Sequence, residues 1–200
     1  MSKLFAFGCS NVYGVGLPDC WDYSNKTHTN TPSSLAWPQL LANKLEIECV
    51  NLSQPGCGNK EIWWAIVNAQ ITKEDIVTVQ WTFPNRHCIL DEKNLPRQIN
   101  YYDPNPVIKN YIAETYSEYD CLIETHVYIQ HANTLVKNMY NFAFELHMLH
   151  PIPSWQTVNI DFDANTVNSN YPRALDGRHP GIESHKQLAT EYLTLIKKSS

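Results

Sequence analysis

Short apolar runs alternate along this chain with longer segments whose apolar residues recur at helical spacing. Strand-type runs occupy residues 3–8, 47–52, 75–81 and 141–149, and helix-type segments occupy 33–45, 59–71, 107–138 and 181–198. Such alternation builds βαβ units, because each helix crosses back over the sheet before the next parallel strand begins. The pattern therefore predicts an α/β fold, a three-layer α/β/α sandwich around a central, mostly parallel five-stranded sheet.

Length and charge limit the classes of protein to consider. With 200 residues the chain can bury one full-sized core, and we expect a single domain over 1–200. A formal net charge of −5 argues against a nucleic-acid partner, which normally faces a basic surface. No segment reaches the ~18 uninterrupted apolar residues of a membrane helix, and the first apolar stretch is too short for a signal peptide. We expect a soluble, cytoplasmic protein, and its oligomeric state is not predicted.

Cysteine and histidine spacing gives no metal signal. The six cysteines include no Cys-x-x-Cys pair, so we expect mostly free thiols and no bound metal. His147 and His150 form an i,i+3 pair at the end of a predicted strand, where the two side chains face opposite sides. Surface or core positions are favoured for both, and His185 on the last helical segment is expected to be structural.

Polar residues near the helix starts predict the caps. Ser33 or Ser34 is expected to cap the first helix, and Asn59 to cap the second. The third helical region, 107–138, has a candidate break near Asp120.

The tryptophans divide into two groups by their place in the pattern. Long irregular segments span residues 17–32, 83–106 and 150–175, and the tryptophans in or near them, which are candidates for lining a pocket, are Trp21, Trp37 and Trp155. Those expected in the core are Trp63, Trp64 and Trp81.

Three predicted strands run into loops of distinctive composition. The loops are Gly8–Asn11, Asn51–Asn59 and Thr82–Arg86. The carboxyl ends of parallel strands meet at one edge of an open α/β sheet, and the binding crevice lies there. We therefore expect the three loops to converge on one site.

A fourth block, Asp176 to Pro180 (DGRHP), stands just before the last helical segment. Asp176 and His179 are three positions apart and can lie on one side of a turn, with the carboxylate accepting the imidazole Nδ1 proton. That contact fixes the tautomer of a general base and stabilises the imidazolium. Ser10, in the first loop, carries a hydroxyl that such a base would activate. A serine after a strand is more often a helix cap, so the partnership with DGRHP is what favours a nucleophile.

The four blocks, together and in this order, resemble those of the SGNH (GDSL-like) hydrolase family. They are the serine loop Gly8–Asn11, the N-x-x-x-x-G segment from Asn51 to Gly56, the Asn-containing third loop, and D-x-x-H-P before the last helix. The resemblance covers essentially the whole chain and implies the flavodoxin-like SGNH hydrolase fold. It also implies a serine esterase that cleaves carboxylic esters through an acyl-enzyme. The substrate would be a small-molecule, carbohydrate or lipid ester, with no cofactor needed.

The resemblance further assigns roles to particular residues. Ser10 would be the nucleophile, His179 the general base and Asp176 its orienting partner. The oxyanion hole would consist of the backbone N–H groups of Ser10 and Gly56 and the side-chain amide of Asn85.

Two positions depart from the family's usual pattern. Cys9 stands where an aspartate usually precedes the serine, and the third block reads WTFPNR instead of a G-x-N-D turn. Thr82 and Arg86 are therefore alternatives to Asn85 as the residue that faces the site. The departures also motivate a second hypothesis, a catalytically inactive relative that serves as a binding or assembly module. A third, a flavodoxin-like phosphate or nucleotide binder, is disfavoured because the first loop matches neither a P-loop nor G-x-G-x-x-G.

Overall fold

The computed structural model describes residues 2–90, 93, 96–99, 104–115, 117–137, 139–143, 162–163 and 171–199. Its strands are β1 (Lys3–Phe7), β2 (Trp21–Asp22), β3 (Thr27–His28), β4 (Glu48–Asn51), β5 (Ile76–Trp81), β6 (Cys88–Leu90), β7 (Pro96–Gln98), β8 (Met139–Ala143) and β9 (Phe162–Asp163). Its helices are α1 (Ser10–Tyr13), α2 (Trp37–Leu45), α3 (Asn59–Asn68), α4 (Pro106–Thr115), α5 (Glu118–Leu135) and α6 (Ile182–Ser199).

Within these residues the central sheet has five strands in the order β4-β1-β5-β8-β9. All four pairings are parallel, with Ala6 opposite Asn51 in β4 and Phe7 opposite Val79 in β5. This confirms the predicted parallel sheet, and the strand order is the flavodoxin-like one. The carboxyl ends of β1, β4 and β5 therefore meet at one edge, where the first three loops begin. The short antiparallel hairpins β2–β3 and β6–β7 lie outside the central sheet.

The burial of side chains on both sides of β1 shows that both faces of the sheet are covered. The side chains of β1 alternate, yet Leu4 and Phe5 are both buried, so each face needs a helical layer. The Leu4 face packs against α2 and α6, including Leu41 and Leu188. The Phe5 face packs against α3 and α5. The predicted three-layer α/β/α sandwich is thereby confirmed.

The structure confirms only part of the prediction for the tryptophans. Trp37 is fully buried and stacks on Tyr192 with ring centroids 4.2 Å apart, so the prediction that it lines a pocket is wrong. It belongs to the core because its position on α2 faces α6. Trp81 is fully buried, as predicted. Trp63 is only half-buried against the core cluster, and Trp64 is half-buried beside a small cavity near the end of β1.

The predicted serine cap of the first helix is wrong. α2 begins at Trp37, and its N-cap Ala36 offers no side-chain bond. Ser33 and Ser34 instead donate their hydroxyls to the Asp19 carboxylate, which also accepts the Ser34 N–H at 2.7 Å. Because both hydroxyls bind Asp19, neither serine caps α2.

His185 on α6 binds the start of α2, which confirms its predicted structural role. The Trp37 N–H donates to His185 Nδ1 at 3.1 Å, and the imidazole is almost fully buried. Burial lowers the pKa of His185 to about 4, and the nearby His179 acts in the same direction. The ring is therefore neutral at physiological pH and free to accept this bond.

The third helical region is divided, as expected, but slightly earlier than Asp120. α4 ends at Thr115 and α5 begins at Glu118, because Ser117 caps α5 by accepting the Asp120 N–H at 3.2 Å. β8 begins two residues before the predicted strand 141–149. The rest of that run lies outside the described residues, as do His147, His150 and Trp155. β9 was not predicted, because two residues carry no readable period.

All six cysteines are free thiols, in agreement with the expectation. Cys49 is half-buried and the others are buried. In the described part of the chain, no helix combines the length and hydrophobicity needed to cross a bilayer.

Candidate active site

The first loop places Ser10 at the carboxyl end of β1. Gly8 follows the strand, and a Cβ there would lie 2.2 Å from Val12 Cγ2 and 3.0 Å from the Gln80 backbone oxygen. Only glycine permits this close approach to β5. Cys9 is the N-cap of α1, but its side chain accepts no backbone N–H of the helix, which begins at Ser10. The serine is therefore fixed in the first helical turn at the edge where the loops meet.

The fourth block brings Asp176 and His179 into direct contact. His179 Nδ1 donates to Asp176 Oδ2, while Oδ1 accepts the backbone N–H groups of Arg178 at 2.9 Å and His179 at 3.0 Å. The Asp176 side chain is 9% exposed and that of His179 is 24% exposed. Burial alone would raise the pKa of Asp176, but these hydrogen bonds hold the pKa below its ordinary value. The carboxylate is therefore ionised at neutral pH, and Nε2 is the ring nitrogen left for other contacts.

Leu175 and Asp176 pack against Gly16, in the segment that follows α1. The Gly16 carbonyl accepts the Leu175 N–H at 2.9 Å. A Cβ on Gly16 would lie 2.8 Å from Asp176 Cγ, and its φ is 83°. Both the close approach and the left-handed backbone require glycine. The segment that follows α1 is thus in direct contact with the Asp176 loop.

The Ser10 hydroxyl itself is directed elsewhere. Its Oγ donates to Cys9 Sγ at 4.0 Å, and within the described residues no hydrogen bond joins it to His179. Catalytic hydrogen bonds are often long in unliganded sites and tighten only when substrate binds. Of the three predicted triad residues, the structure therefore joins Asp176 and His179 directly.

The second loop lies against the first. Gln54 N–H donates to the Gly8 carbonyl at 3.1 Å, and Cys57 Sγ donates to the same oxygen at 3.2 Å. Gly56 lies between them with φ 83°. Among the residues that the structure describes, neither the Gly56 N–H nor the Ser10 N–H has a hydrogen-bond partner. Both are donors of the kind that an oxyanion needs.

Two buried cysteines adjoin the serine loop. Burial raises the pKa of Cys57 well above its ordinary value, and the proximity of Cys9 and Glu61 raises it further. Because the thiolate is the nucleophilic form, Cys57 is a poor nucleophile. Ser10 remains the candidate.

In the third loop, the three residues considered for the oxyanion hole differ in exposure and in contacts. Asn85 is exposed. Thr82 Oγ1 is fully buried and has no hydrogen-bond partner within the described residues, so a substrate cannot reach it. The Arg86 guanidinium donates to the Cys57 carbonyl at 3.3 Å and lies 5.2 Å from the centre of the Phe83 ring. Of the three side chains, that of Asn85 is the one open to solvent and free of such contacts.

Asn59 has a role that the sequence did not reveal. The prediction that it caps the second helix is wrong, because Gly58 is the N-cap of α3. The Asn59 side chain is buried, and its Nδ2 donates to the Thr82 carbonyl and to Thr125 Oγ1, both at 3.0 Å. Its Oδ1 accepts the Thr82 N–H at 2.7 Å. Asn59 thus holds both backbone groups of the first residue after β5, where the third loop begins.

Replacing Asn59 with alanine is expected to lower the free energy of unfolding by about 2–3 kcal/mol, because the buried N–H and C=O of Thr82 would lose their partners. Asn68→Ala is the matched control on the same helix. Asn68 is exposed, and its Nδ2 donates to the Trp64 carbonyl at 2.8 Å. We expect that control to change the free energy by less than about 0.5 kcal/mol. Urea denaturation measures both, and equal losses would contradict the role given to Asn59.

A cavity of about 610 Å³ opens beside the Asp176–His179 pair. The β2–β3 hairpin and the fourth block supply its walls, and Trp21, Tyr23, Lys26, Arg178 and His179 are among its lining residues. The prediction that Trp21 lines a pocket is confirmed. The volume is within the range of small-molecule sites.

No protein-family model matches this sequence, and no curated protein matches it either. Solved structures, however, match over nearly the whole chain. A carbohydrate esterase whose active site has divergent catalytic and non-catalytic binding functions gives a TM-score of 0.56 at 10% identity, over 98% of this chain and 65% of its own. A family two carbohydrate esterase from Clostridium thermocellum, in complex with cellohexaose, gives 0.53 at 11% identity, over 99% and 64%.

A member of the lipolytic protein G-D-S-L family from Veillonella parvula gives a TM-score of 0.51 at 11% identity, over 99% of this chain and 100% of its own. This chain therefore spans less than two thirds of those two carbohydrate esterases and the full length of the lipolytic protein. These likenesses confirm the predicted fold, because the chain shares its fold with the carbohydrate esterases and the lipolytic protein.

Proposed function

We propose that this protein is a serine esterase that cleaves a carboxylic ester through an acyl-enzyme, with Ser10, His179 and Asp176 as its triad. The observation that carries the proposal is the Asp176–His179 hydrogen bond, held by Gly16 beside the segment that begins with Ser10. The fold supports it, since carbohydrate esterases and a lipolytic protein share this architecture.

The acylation step follows from this arrangement. Ser10 Oγ attacks the ester carbonyl carbon while His179 Nε2 takes its proton. The bond to the leaving alcohol then breaks, and His179 returns the proton to that alcohol. Asp176 holds Nδ1 and stabilises the imidazolium between the two transfers. The step requires the Ser10 hydroxyl to turn from Cys9 Sγ toward His179.

Deacylation repeats the same route with water as the nucleophile. His179 takes a proton from water, which attacks the acyl carbon, and the proton then returns to Ser10 as the carboxylic acid leaves. In both steps negative charge develops on the carbonyl oxygen. The N–H groups of Ser10 and Gly56 and the Asn85 amide are the proposed donors to it. The exposure of Asn85, against the burial of Thr82 Oγ1, favours Asn85 within the third block.

Replacing Asn85 with alanine is expected to lower kcat by about 100-fold with little change in KM, because one oxyanion donor is lost. Thr82→Val is the matched comparison and is expected to leave kcat within about twofold of wild type, since the hydroxyl of Thr82 is out of substrate's reach. Steady-state kinetics on a p-nitrophenyl ester measures both. A large loss with Thr82→Val, and none with Asn85→Ala, would make Thr82 the donor instead.

Hydrolysis of p-nitrophenyl acetate and butyrate by the purified protein tests the proposed activity. We expect saturable turnover well above the rate in buffer. Absence of turnover with either ester from a folded, monodisperse protein would contradict the esterase proposal.

One observation favours a second candidate, an inactive binding module of the same fold. The partner of the Ser10 hydroxyl is Cys9 Sγ rather than His179. Such a module would bind an ester or its sugar without turning it over. Binding without hydrolysis would favour this second candidate, whereas hydrolysis that depends on Ser10 would exclude it.

A further inference from the structure

We propose that the cavity beside His179 binds the anionic group of an acidic sugar ester, with Lys26 and Arg178 as its cationic contacts. This inference rests on the proposed function, because it names the substrate class for the same site. The cavity volume of about 610 Å³ is large enough for a sugar ring with its substituents. His179 lines it, so a ligand there lies next to the general base.

Two cations line this cavity in a protein that is acidic overall. Lys26 comes from the β2–β3 hairpin and Arg178 from the fourth block, whereas the whole chain carries a formal net charge of −5. Both residues are exposed. Within the described ranges, neither Lys26 Nζ nor the Arg178 guanidinium forms an ion pair. Their charge is available to a ligand.

The nearby carboxylates are already occupied by other donors. Asp176 is the one carboxylate among the described lining residues, and both its oxygens accept hydrogen bonds within the fourth block. In the hairpin, Asp22 Oδ1 accepts the N–H groups of Ser24 at 2.8 Å and Asn25 at 3.2 Å. Its Oδ2 accepts Asn25 Nδ2 at 2.7 Å. An anionic ligand in the cavity would therefore meet Lys26 and Arg178, neither of which has an ion-pair partner among the described residues.

The backbone at Lys26 limits which substitutions can test its side chain. Lys26 has φ 51°, the left-handed region in which glycine or asparagine is far less strained. Asparagine at position 26 would therefore keep this backbone, which makes Lys26→Asn a suitable test substitution.

The aromatic residues of the cavity favour a sugar over a fatty acyl chain. Trp21 is half-buried, and Tyr23 is 67% exposed. Both line the same cavity as Lys26 and Arg178. Flat aromatic faces suit the C–H face of a pyranose, and the neighbouring cations suit its carboxylate through charge-assisted hydrogen bonds. An acidic sugar supplies both groups in one ligand.

Binding of two matched glycosides tests this site independently of hydrolysis. Methyl glucuronoside and methyl glucoside differ in a carboxylate in place of a hydroxymethyl group, and neither is an ester. Titration followed by NMR is expected to give about tenfold tighter binding of the glucuronoside. The preference is expected to shrink as NaCl rises from about 0.05 M to about 0.5 M, because salt screens exposed charges. Equal affinities of the two glycosides at low salt would overturn the proposal.

Substitutions assign the preference to the two cations. Lys26→Asn, which tolerates the left-handed backbone, and Arg178→Gln are each expected to reduce the glucuronoside preference by about threefold or more. Lys26→Arg is expected to keep most of it. Lys137→Asn, an exposed lysine that does not line the cavity, is the control and is expected to keep all of it. A preference unchanged in both Lys26→Asn and Arg178→Gln would overturn the assignment.

Hydrolysis of the O-acetylated forms of the same glycosides separates this inference from the esterase proposal. We expect about tenfold higher kcat/KM for the acetylated glucuronoside. A selective glucuronoside site without hydrolysis of either ester would contradict the esterase proposal and leave the anion site standing. Hydrolysis of both esters at equal kcat/KM, with equal binding of both glycosides, would leave the esterase proposal standing and overturn the anion site.

Discussion

Replacing Ser10 with alanine is expected to abolish ester hydrolysis, lowering kcat by about 10⁴-fold or more, because no other group forms the acyl bond. Its Oγ has one hydrogen-bond contact within the described residues, the Cys9 sulfur at 4.0 Å. Removing the hydroxyl should therefore change the free energy of unfolding by less than about 0.5 kcal/mol. Kinetics on p-nitrophenyl acetate, beside thermal melting, separates the loss of chemistry from a loss of fold.

Ser34→Ala is the control for that experiment. Ser34 is exposed, and its hydroxyl donates to Asp19 at 2.7 Å, away from the proposed chemistry. Its variant is expected to keep wild-type kcat. Full activity in Ser10→Ala would show that another residue is the nucleophile.

Replacing Asp176 with asparagine is the second large expected effect, a fall in kcat of about 10⁴-fold. An amide that keeps the size of the carboxylate neither fixes the required His179 tautomer nor stabilises the imidazolium. Asp120→Asn, an exposed aspartate on α5, is the control and is expected to leave kcat unchanged. Wild-type kcat in Asp176→Asn would contradict the role given to this pair.

The pKa of Asp176 predicts how pH affects its contribution to stability. Hydrogen bonds from His179 and from backbone N–H groups hold the pKa below its ordinary value of 3.8. A lowered carboxyl pKa stabilises the fold fully above the ordinary value, and that stability is lost as pH falls through the folded-state value. The stability difference between wild type and Asp176→Asn should therefore be constant through the neutral range and shrink below about pH 4.

The fold could be predicted because its signals are local. Each core strand is a short apolar run, and Leu4 and Phe5 are both buried although they face opposite layers. That pattern is typical of a parallel sheet covered on both sides. Strand β9, with two residues, has no such signal. The predicted serine caps failed because Asp19, 14 and 15 residues earlier in the sequence, binds Ser33 and Ser34, and no local pattern reports that competition.

In the candidate site, too, the local contact could be predicted from the sequence and the long-range contacts could not. Asp176 and His179 are three residues apart, so one turn brings them together and the motif predicts the contact. Asn59 meets Thr82 and Thr125 across 23 and 66 residues, and such contacts depend on the packed helices and sheet. The left-handed backbone of Lys26 was also invisible, since the residue type argues against it.

The most direct test of the esterase proposal is covalent labelling with a fluorophosphonate, followed by peptide mapping with mass spectrometry. The reagent reacts with a serine hydroxyl only where a base and an oxyanion site activate it. We expect a single adduct on Ser10, absent in Ser10→Ala and much slower to form in His179→Ala. A folded wild-type protein that stays unlabelled, or that carries the adduct on a different residue, would contradict the proposed triad.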